Sequence, residues 1–395
     1  MNPSVTIWGH SGNRPLPVSR SMIRMTTNPA LHLIERLVLG ILVLGTAAPA
    51  AGQVTAPAGQ AAAADTPALK VGATLFADYT IQQEPKIADG DGNQVTANAF
   101  NVGRAYINLI GTLPHNIGFR ITPDIARETG TGSSLSGSYT FRLKYAYAQF
   151  TLDDYLNPGR TGTWIRLGMQ QTPWVDFMET VYRYRFQGNI FEDREGYLSS
   201  SDIGASVHYS LPDSYGDVHA GVYNGETYTK PEVNNQKGFL IRGSLRPLPA
   251  HAALRGLRVT GFYHHDAYVR NAERTRGIVA LTYEHERLNA SFNYFAATDQ
   301  TSATHAPVDA RGFSVWATPR AANGWEGLIR YDRLEPDRNA SGARTRTIGG
   351  VAYWFPHQGT LSTALLFDIE QLTFDGFVRP QPTQRRFALH ALVNF

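Results

Sequence analysis

The chain ends in the ten residues Arg386-Phe387-Ala388-Leu389-His390-Ala391-Leu392-Val393-Asn394-Phe395. Every second residue from Phe387 to Phe395 is apolar, whereas the opposite parity carries Arg386, His390 and Asn394. Successive side chains of a β-strand point to opposite faces, so this stretch predicts a strand with one continuous apolar face. Such a strand separates an apolar environment from a polar one.

The same alternation recurs about every dozen residues from residue 70 onward, and it predicts about sixteen strands. A clear example is Ile203-Gly204-Ala205-Ser206-Val207-His208-Tyr209. Connections after even-numbered strands are mostly short, as at Leu113-Pro114-His115, whereas those after odd-numbered strands are mostly long and polar, at 81–98, 127–138, 172–200 and 299–309. Loop length that alternates with strand parity is typical of a membrane barrel, which has tight turns on one rim and long loops on the other.

The predicted fold is therefore all-β: a transmembrane antiparallel β-barrel of about sixteen strands over residues 69–395, with short periplasmic turns and long extracellular loops. A closed sheet satisfies every backbone hydrogen bond inside hydrocarbon. Only every second residue needs to be apolar, which is consistent with the negative mean hydropathy. A phenylalanine that closes an alternating strand resembles the sorting and assembly signal of outer-membrane barrels. We therefore predict a location in the cell outer membrane of a Gram-negative bacterium, with its lipid as a partner.

The N-terminal region has a different character. An apolar block at Leu37-Val38-Leu39-Gly40-Ile41-Leu42-Val43-Leu44 follows basic residues and precedes Ala48-Pro49-Ala50. This arrangement is typical of a secretory signal peptide, here residues 1–50, cleaved after Ala50. Residues 51–68 are rich in Ala, Gly and Pro and predict a flexible leader.

Composition excludes several classes of protein. The net charge of +3 comes entirely from the first fifty residues, which hold four arginines and one glutamate. The remainder is neutral, so its charge gives no reason to expect nucleic acid as a partner. The chain has no cysteine, which excludes a disulfide scaffold, cysteine-ligated metal sites and a thiol nucleophile.

If Phe395 faces lipid, residues of the opposite parity face the lumen. The candidate pore-lining residues of the wall are Arg104, Arg120, Arg142, Lys144, Arg166, Arg242 and Arg330. Positive side chains in a narrow passage of low dielectric constant favour anions. A water-filled lumen needs charges of some kind, so a lumen that is merely hydrated is the alternative.

The connection 172–200 is the longest in the predicted barrel, and it interleaves aromatic with charged residues. Loops of this length are usually functional or disordered, and the aromatic residues favour an ordered loop. We predict that it folds into the barrel as a constriction, with acidic and arginine side chains facing each other across the opening. The candidates are Asp176, Glu179, Arg183, Arg185 and Arg194. The alternative is a loop packed over neighbouring loops or over a trimer partner.

The stretch Arg166-Leu167-Gly168-Met169-Gln170-Gln171-Thr172-Pro173, followed by Glu179, resembles the strand-to-third-loop segment of the phosphate-selective porin O/P family. Arg104-Ala105-Tyr106-Ile107-Asn108-Leu109-Ile110-Gly111 resembles the arginine-led early strand of that family, and Asp202-Ile203-Gly204 its strand after the third loop. The resemblance implies a sixteen-stranded trimeric porin whose third loop narrows the pore. The best-known members of the family bind phosphate through a lysine cluster and an arginine ladder. This chain has five lysines in all, which are too few for such a cluster.

The predicted function is passive diffusion of small hydrophilic solutes and ions, anionic or neutral, with a preference for anions such as phosphate. One alternative is a substrate-specific channel for organic acids or sugars, and another is a barrel with an adhesive or hydrolytic surface role. No enzyme motif occurs: His264 and His265 are adjacent on a predicted strand and therefore point to opposite faces. We predict no catalytic residues, no metal and no cofactor.

Overall fold

The computed structural model describes residues 68–130, 132–156 and 161–395. Sixteen strands, each antiparallel to its neighbours, form a closed barrel in which β1 pairs with both β2 and β16. The strands are β1 (Ala68–Ala88), β2 (Gln94–Leu113), β3 (Ile117–Arg127), β4 (Tyr139–Thr151), β5 (Trp164–Gln171), β6 (Ser201–Ser210), β7 (Gly216–Tyr223), β8 (Gly238–Leu245), β9 (Leu257–Val269), β10 (Ala272–His285), β11 (Leu288–Asp299), β12 (Val308–Pro319), β13 (Trp325–Glu335), β14 (Ala343–Phe355), β15 (Ser362–Asp375) and β16 (Gln384–Asn394). The predicted fold class and strand number are confirmed. The predicted signal peptide and nearly all of the predicted leader lie outside the described residues.

The last strand closes the barrel with the predicted orientation. Asn394 pairs with Thr74 of β1 and with Ser362 of β15. His390 is buried, whereas Leu389 is 50% exposed on the outer surface of the barrel. The apolar parity therefore faces outward, as predicted for a barrel that spans a membrane.

The first hairpin differs from the expectation. The sequence predicts a long loop over 81–98, but β1 and β2 remain paired as far as Ala88 and Gln94, and only residues 89–93 connect them. The added strand residues are mostly polar, such as Thr96 and Asn98. A strand that continues beyond the rim of the barrel is surrounded by water. Polar residues there are therefore no sign that the strand has ended.

The wall is uneven in height. Strands β5, β7 and β8 have eight residues each, whereas β1 and β2 have 21 and 20. The short side lies next to the segment that leaves the wall at residue 172.

Three short helices are described: α1 (Asp153–Leu156), α2 (Pro173–Val181) and α3 (Phe191–Arg194). Helices α2 and α3 belong to the connection 172–200, called the third loop below. Within the described part of the chain, no helix is long and apolar enough to cross a membrane. The largest cluster of buried apolar side chains joins this loop to the wall of the barrel.

Candidate pore lining and constriction

The third loop is an ordered segment packed inside the barrel. Pro173 occupies the first turn of α2, where its missing N–H costs no helical hydrogen bond. Trp174, Tyr182 and Tyr184 are fully buried. The Trp174 indole N–H donates to Glu192 over 3.1 Å, which links α2 to α3.

Salt bridges fasten this loop to the wall. Arg183 lies 2.7 Å from Glu326 of β13, and Arg194 lies 3.2 Å from Glu370 of β15. Glu370 also binds Arg346 and Arg386 of the neighbouring strands. The structure therefore places Arg183 and Arg194 on wall carboxylates, where they anchor the loop.

Two of the candidate wall arginines bind the backbone of the loop. Arg330 donates to the carbonyl oxygen of Asn189 over 2.9 Å, and Arg242 donates to that of Pro173 over 3.1 Å. Arg330 also pairs with Asp332, and Arg242 with Asp217. Both guanidinium groups thus support the loop, and the charge of each is neutralised by an aspartate.

The opposite side of the lumen is free of such anchors. Among the described residues, no hydrogen bond or ion pair joins 173–200 to strands β2–β5. The inward faces of these four strands hold five basic residues, Arg104, Arg120, Arg142, Lys144 and Arg166, and one acidic residue, Asp124. Arg127 lies on the opposite, outward parity of β3. This part of the wall is therefore basic, and it is called the basic wall below.

The charges of the basic wall are only partly compensated. Arg104 and Arg142 share the buried carboxylate of Asp124, at 2.7 and 2.9 Å. Within the described part of the chain, neither Arg120 nor Arg166 has a carboxylate within ion-pair distance. Arg120 donates to the side-chain oxygens of Thr122 and Asn108, and Arg166 to those of Gln149 and Gln171. Amide and hydroxyl acceptors fix the direction of a guanidinium group without cancelling its charge.

Lys144 is also without an ion-pair partner among the described residues, but it is only 3% exposed. Its ammonium group donates to the hydroxyl of Tyr106 and lies 4.7 Å from the centre of that ring. Arg120 and Arg166 are therefore the half-buried cations of the basic wall without a carboxylate partner among the described residues, whereas Lys144 is buried.

The face of the loop that turns toward the basic wall carries acidic residues. Asp176 forms no ion pair among the described residues, whereas Glu179 binds Arg185 of the same loop. Burial raises the pKa of Asp176, and the charge of Arg166 opposes that rise. Burial also raises the pKa of Asp193 to about 6, against the charge of Arg185.

Sequence reasoning missed Glu192 and Asp193 as members of this site. Glu192 accepts hydrogen bonds from Trp174 and from Asn293 of β11, and burial raises its pKa to about 7. The adjacent Glu192-Asp193 pair in the loop was the available signal, but only the path of the loop shows which carboxylate is buried.

The motif at the end of β5 has a structural explanation. Gly168 has φ of +121°, and a side chain there would collide with the carbonyl oxygen of Ala146. Gln170 is fully buried and donates to the carbonyl oxygen of Gly204 over 2.9 Å. With Pro173 starting α2, these residues direct the chain from the wall into the lumen.

A cavity of about 710 Å³ lies beneath α2, on the side of the short turns. Its lining comes from α2, from strands β5–β9 and from the turn at 211–216. The cavity borders the basic wall at Trp164 and Arg166.

These features define a sixteen-stranded barrel with an inserted third loop. No protein-family model matches the chain, and no curated protein matches it. Solved structures do. OmpT in its trimer form, an outer membrane protein of Vibrio cholerae, has a TM-score of 0.55 and 14% identity, with 84% of this chain and 100% of that chain covered.

Two further solved structures are similar. The anion-selective porin from Comamonas acidovorans has a TM-score of 0.56 and 10% identity, with 84% of this chain and 100% of that chain covered. The outer membrane channel DcaP of Acinetobacter baumannii has a TM-score of 0.51 and 10% identity, with 83% and 97% covered. At such identities the similarity establishes the fold alone, which is that of outer-membrane porins and channels.

Proposed function

We propose that this protein is a porin of the Gram-negative outer membrane, through which small hydrophilic solutes and ions diffuse passively, with a preference for anions. One observation carries the proposal: the wall opposite the third loop presents five basic residues and one acidic residue to the lumen. Charged side chains in a narrow passage bias which ions enter. The acidic residues Asp176 and Glu179 on the loop limit that preference to a moderate one.

The proposal includes a homotrimer in outer-membrane lipid and membership of the phosphate-selective porin O/P family. The trimer form of OmpT from Vibrio cholerae supports the first part, because it shares this fold. The segment Arg166–Pro173 supports the second part. The outward side chains of the wall, such as Leu167 at 61% exposure, suit contact with lipid.

We propose transport in place of catalysis. Charged side chains of the third loop, such as Arg183 and Arg194, bind wall carboxylates and thereby anchor the loop. Within the described part of the chain, no group of three or more His, Asp or Glu residues could hold a metal ion.

Conductance in a planar bilayer tests the proposal. The purified full chain should give stepwise openings, and the reversal potential in a KCl gradient should show that chloride is more permeant than potassium. Arg120→Gln with Arg166→Gln should lower the chloride-to-potassium permeability ratio by about twofold or more. Arg333→Gln is the matched control, because Arg333 lies on the outer face near Thr345. An absence of openings would contradict the porin function, and an unchanged reversal potential in the double variant would exclude the two arginines from selectivity.

A further inference from the structure

The cavity beneath α2 is large enough for a small organic solute, since binding sites for such molecules usually enclose about 300–1,000 Å³. Its volume is about 710 Å³. The charged residues in its lining are Arg166, Arg242, Arg246, Arg258, Asp176, Asp213 and Asp217. Both signs of charge thus surround one space.

Two of the four arginines are available to an anion. Arg242 binds Asp217, Ser244 and the carbonyl oxygen of Pro173, and Arg258 pairs with a wall glutamate at 2.9 Å. Arg166 and Arg246, by contrast, have no carboxylate within ion-pair distance among the described residues. A planar guanidinium group pairs with a carboxylate through two hydrogen bonds.

Acceptors for hydroxyl groups lie in the same lining. Asp176 of α2 borders the cavity without an ion-pair partner among the described residues, and the hydroxyl groups of Thr161, Thr180 and Ser214 border it too. A carboxylate that accepts a hydrogen bond from a solute hydroxyl makes a charge-assisted bond. The cavity therefore combines sites for an anionic group with sites for neutral hydroxyl groups.

This combination discriminates between classes of solute. A phosphate dianion is attracted by Arg246 but repelled by Asp176. A neutral sugar satisfies Asp176 and the hydroxyl groups but leaves Arg246 without a counter-charge. A monoanionic sugar acid satisfies both sets.

We propose that the cavity is a binding site for monoanionic sugar acids, which place their carboxylate at Arg246 and their hydroxyl groups at Asp176 and the neighbouring hydroxyl side chains. The inference deepens the proposed porin function, on which it rests, by naming a class of solute held on the turn side of the constriction.

Isothermal titration calorimetry of the detergent-solubilised full chain tests the site with three probes: glucuronate, glucose and inorganic phosphate. Glucuronate should bind saturably and at least about tenfold more tightly than either of the others, which corresponds to about 1.4 kcal/mol. Arg246→Gln should weaken glucuronate binding about tenfold, because it removes a bidentate contact. Arg333→Gln, on the outer face, should leave the affinity unchanged.

Asp176→Asn supplies a second criterion that does not depend on the arginines. It removes the repulsion of phosphate and weakens one hydroxyl acceptor, so the ratio of glucuronate to phosphate affinity should fall. Phosphate or glucose binding as tight as that of glucuronate would overturn the proposal, as would a ratio that Asp176→Asn does not lower. If the protein gives anion-selective currents but does not bind glucuronate, the binding site is overturned and the porin function stands. If it binds glucuronate saturably but gives no current, the porin function itself is contradicted.

Discussion

The guanidinium carbon of Arg166 lies 3.7 Å from the centre of the Trp164 ring, the shortest cation–ring distance in the described part of the chain. Tyr147 approaches the same guanidinium group at 4.8 Å, and the ring of His208 is stacked on Trp164 at 5.1 Å. Trp164 and Tyr147 hold the Arg166 charge in one position, and His208 supports Trp164. Gln149 and Gln171 fix the orientation of the guanidinium group without neutralising it.

Trp164→Leu should therefore lower the anion preference although no charge is lost. Cation–π contacts contribute about 0.5–2 kcal/mol, and without this contact the Arg166 side chain samples several rotamers. The reversal potential in a KCl gradient should move toward that of the double arginine variant. Trp325→Leu is the control, since that ring is half exposed at the start of β13. Equal reversal potentials in the two variants would show that Trp164 has no positioning role.

Glu370→Gln should destabilise the docking of the third loop. This carboxylate compensates Arg194, Arg346 and Arg386 together. Its loss leaves Arg194 and Arg386, both partly buried, without a carboxylate partner among the described residues, while Arg346 keeps Glu195. Removing one partner of a buried ion pair costs about 3–5 kcal/mol. The temperature at which the folded band disappears in heat-modifiable gel migration should fall. Glu335→Gln is the control: Glu335 belongs to an exposed ion pair, so its loss should change the stability by about 0–1 kcal/mol. An equal effect of the two variants would contradict the anchoring role of Glu370.

Arg185→Gln should reduce anion preference more than Arg183→Gln does. Glu326, the partner of Arg183, also binds Arg320 and stays compensated when Arg183 is lost. Glu179 has no second ion-pair partner among the described residues, so its charge becomes free on the face of the loop that turns toward the basic wall. Reversal potentials of the two single variants, recorded in the same salt gradient, provide the comparison. The reverse order would place Arg183 in the narrowest part of the passage.

Glu192 should make stability depend on pH. Burial raises the pKa of this loop carboxyl from 4.5 to about 7, while the hydrogen bonds from Trp174 and Asn293 oppose the rise. Between these two pH values the folded state binds more protons than the unfolded state, so stability falls as pH rises from about 4.5 to about 7 and is level above. Thermal loss of the folded band should therefore occur at a lower temperature at pH 8 than at pH 5.

Glu192→Gln should reduce that difference between pH 5 and pH 8, and the exposed Glu273→Gln should preserve it. A pH dependence that is identical in wild type and Glu192→Gln would assign the effect to other groups. The comparison between variants is necessary because burial also raises the pKa of Asp193.

The strands could be predicted because their alternation is local. Leu389 and His390 show by position alone which face is apolar, and the closed barrel confirms it. The end of β1 was placed too early because a strand that continues into water loses its apolar face while its backbone pairing persists. Alternation of apolar and polar residues occurs where a strand both pairs with its neighbours and has one apolar surface to cover. Beyond the rim of the barrel the backbone pairing continues, but that apolar surface is absent.

The third loop could be predicted as a segment, but its contacts could not. Arg183 and Glu326 are 143 positions apart, and their pairing depends on the depth to which the loop descends. Arg330 and Arg166 have the same type and parity in the sequence, yet one is neutralised by Asp332 and the other is not. Which arginines keep an uncompensated charge is decided by long-range packing.

The low side of the barrel has a consequence for its surroundings. A strand that crosses a bilayer needs about 9–11 residues, and β5, β7 and β8 have eight each. In the proposed outer-membrane setting, the acyl chains next to these strands have to compress, and such thickness mismatch costs free energy for every ångström along the perimeter. Covering that perimeter with the taller side of another barrel removes the cost, so in that setting membrane thickness itself would favour the proposed self-association.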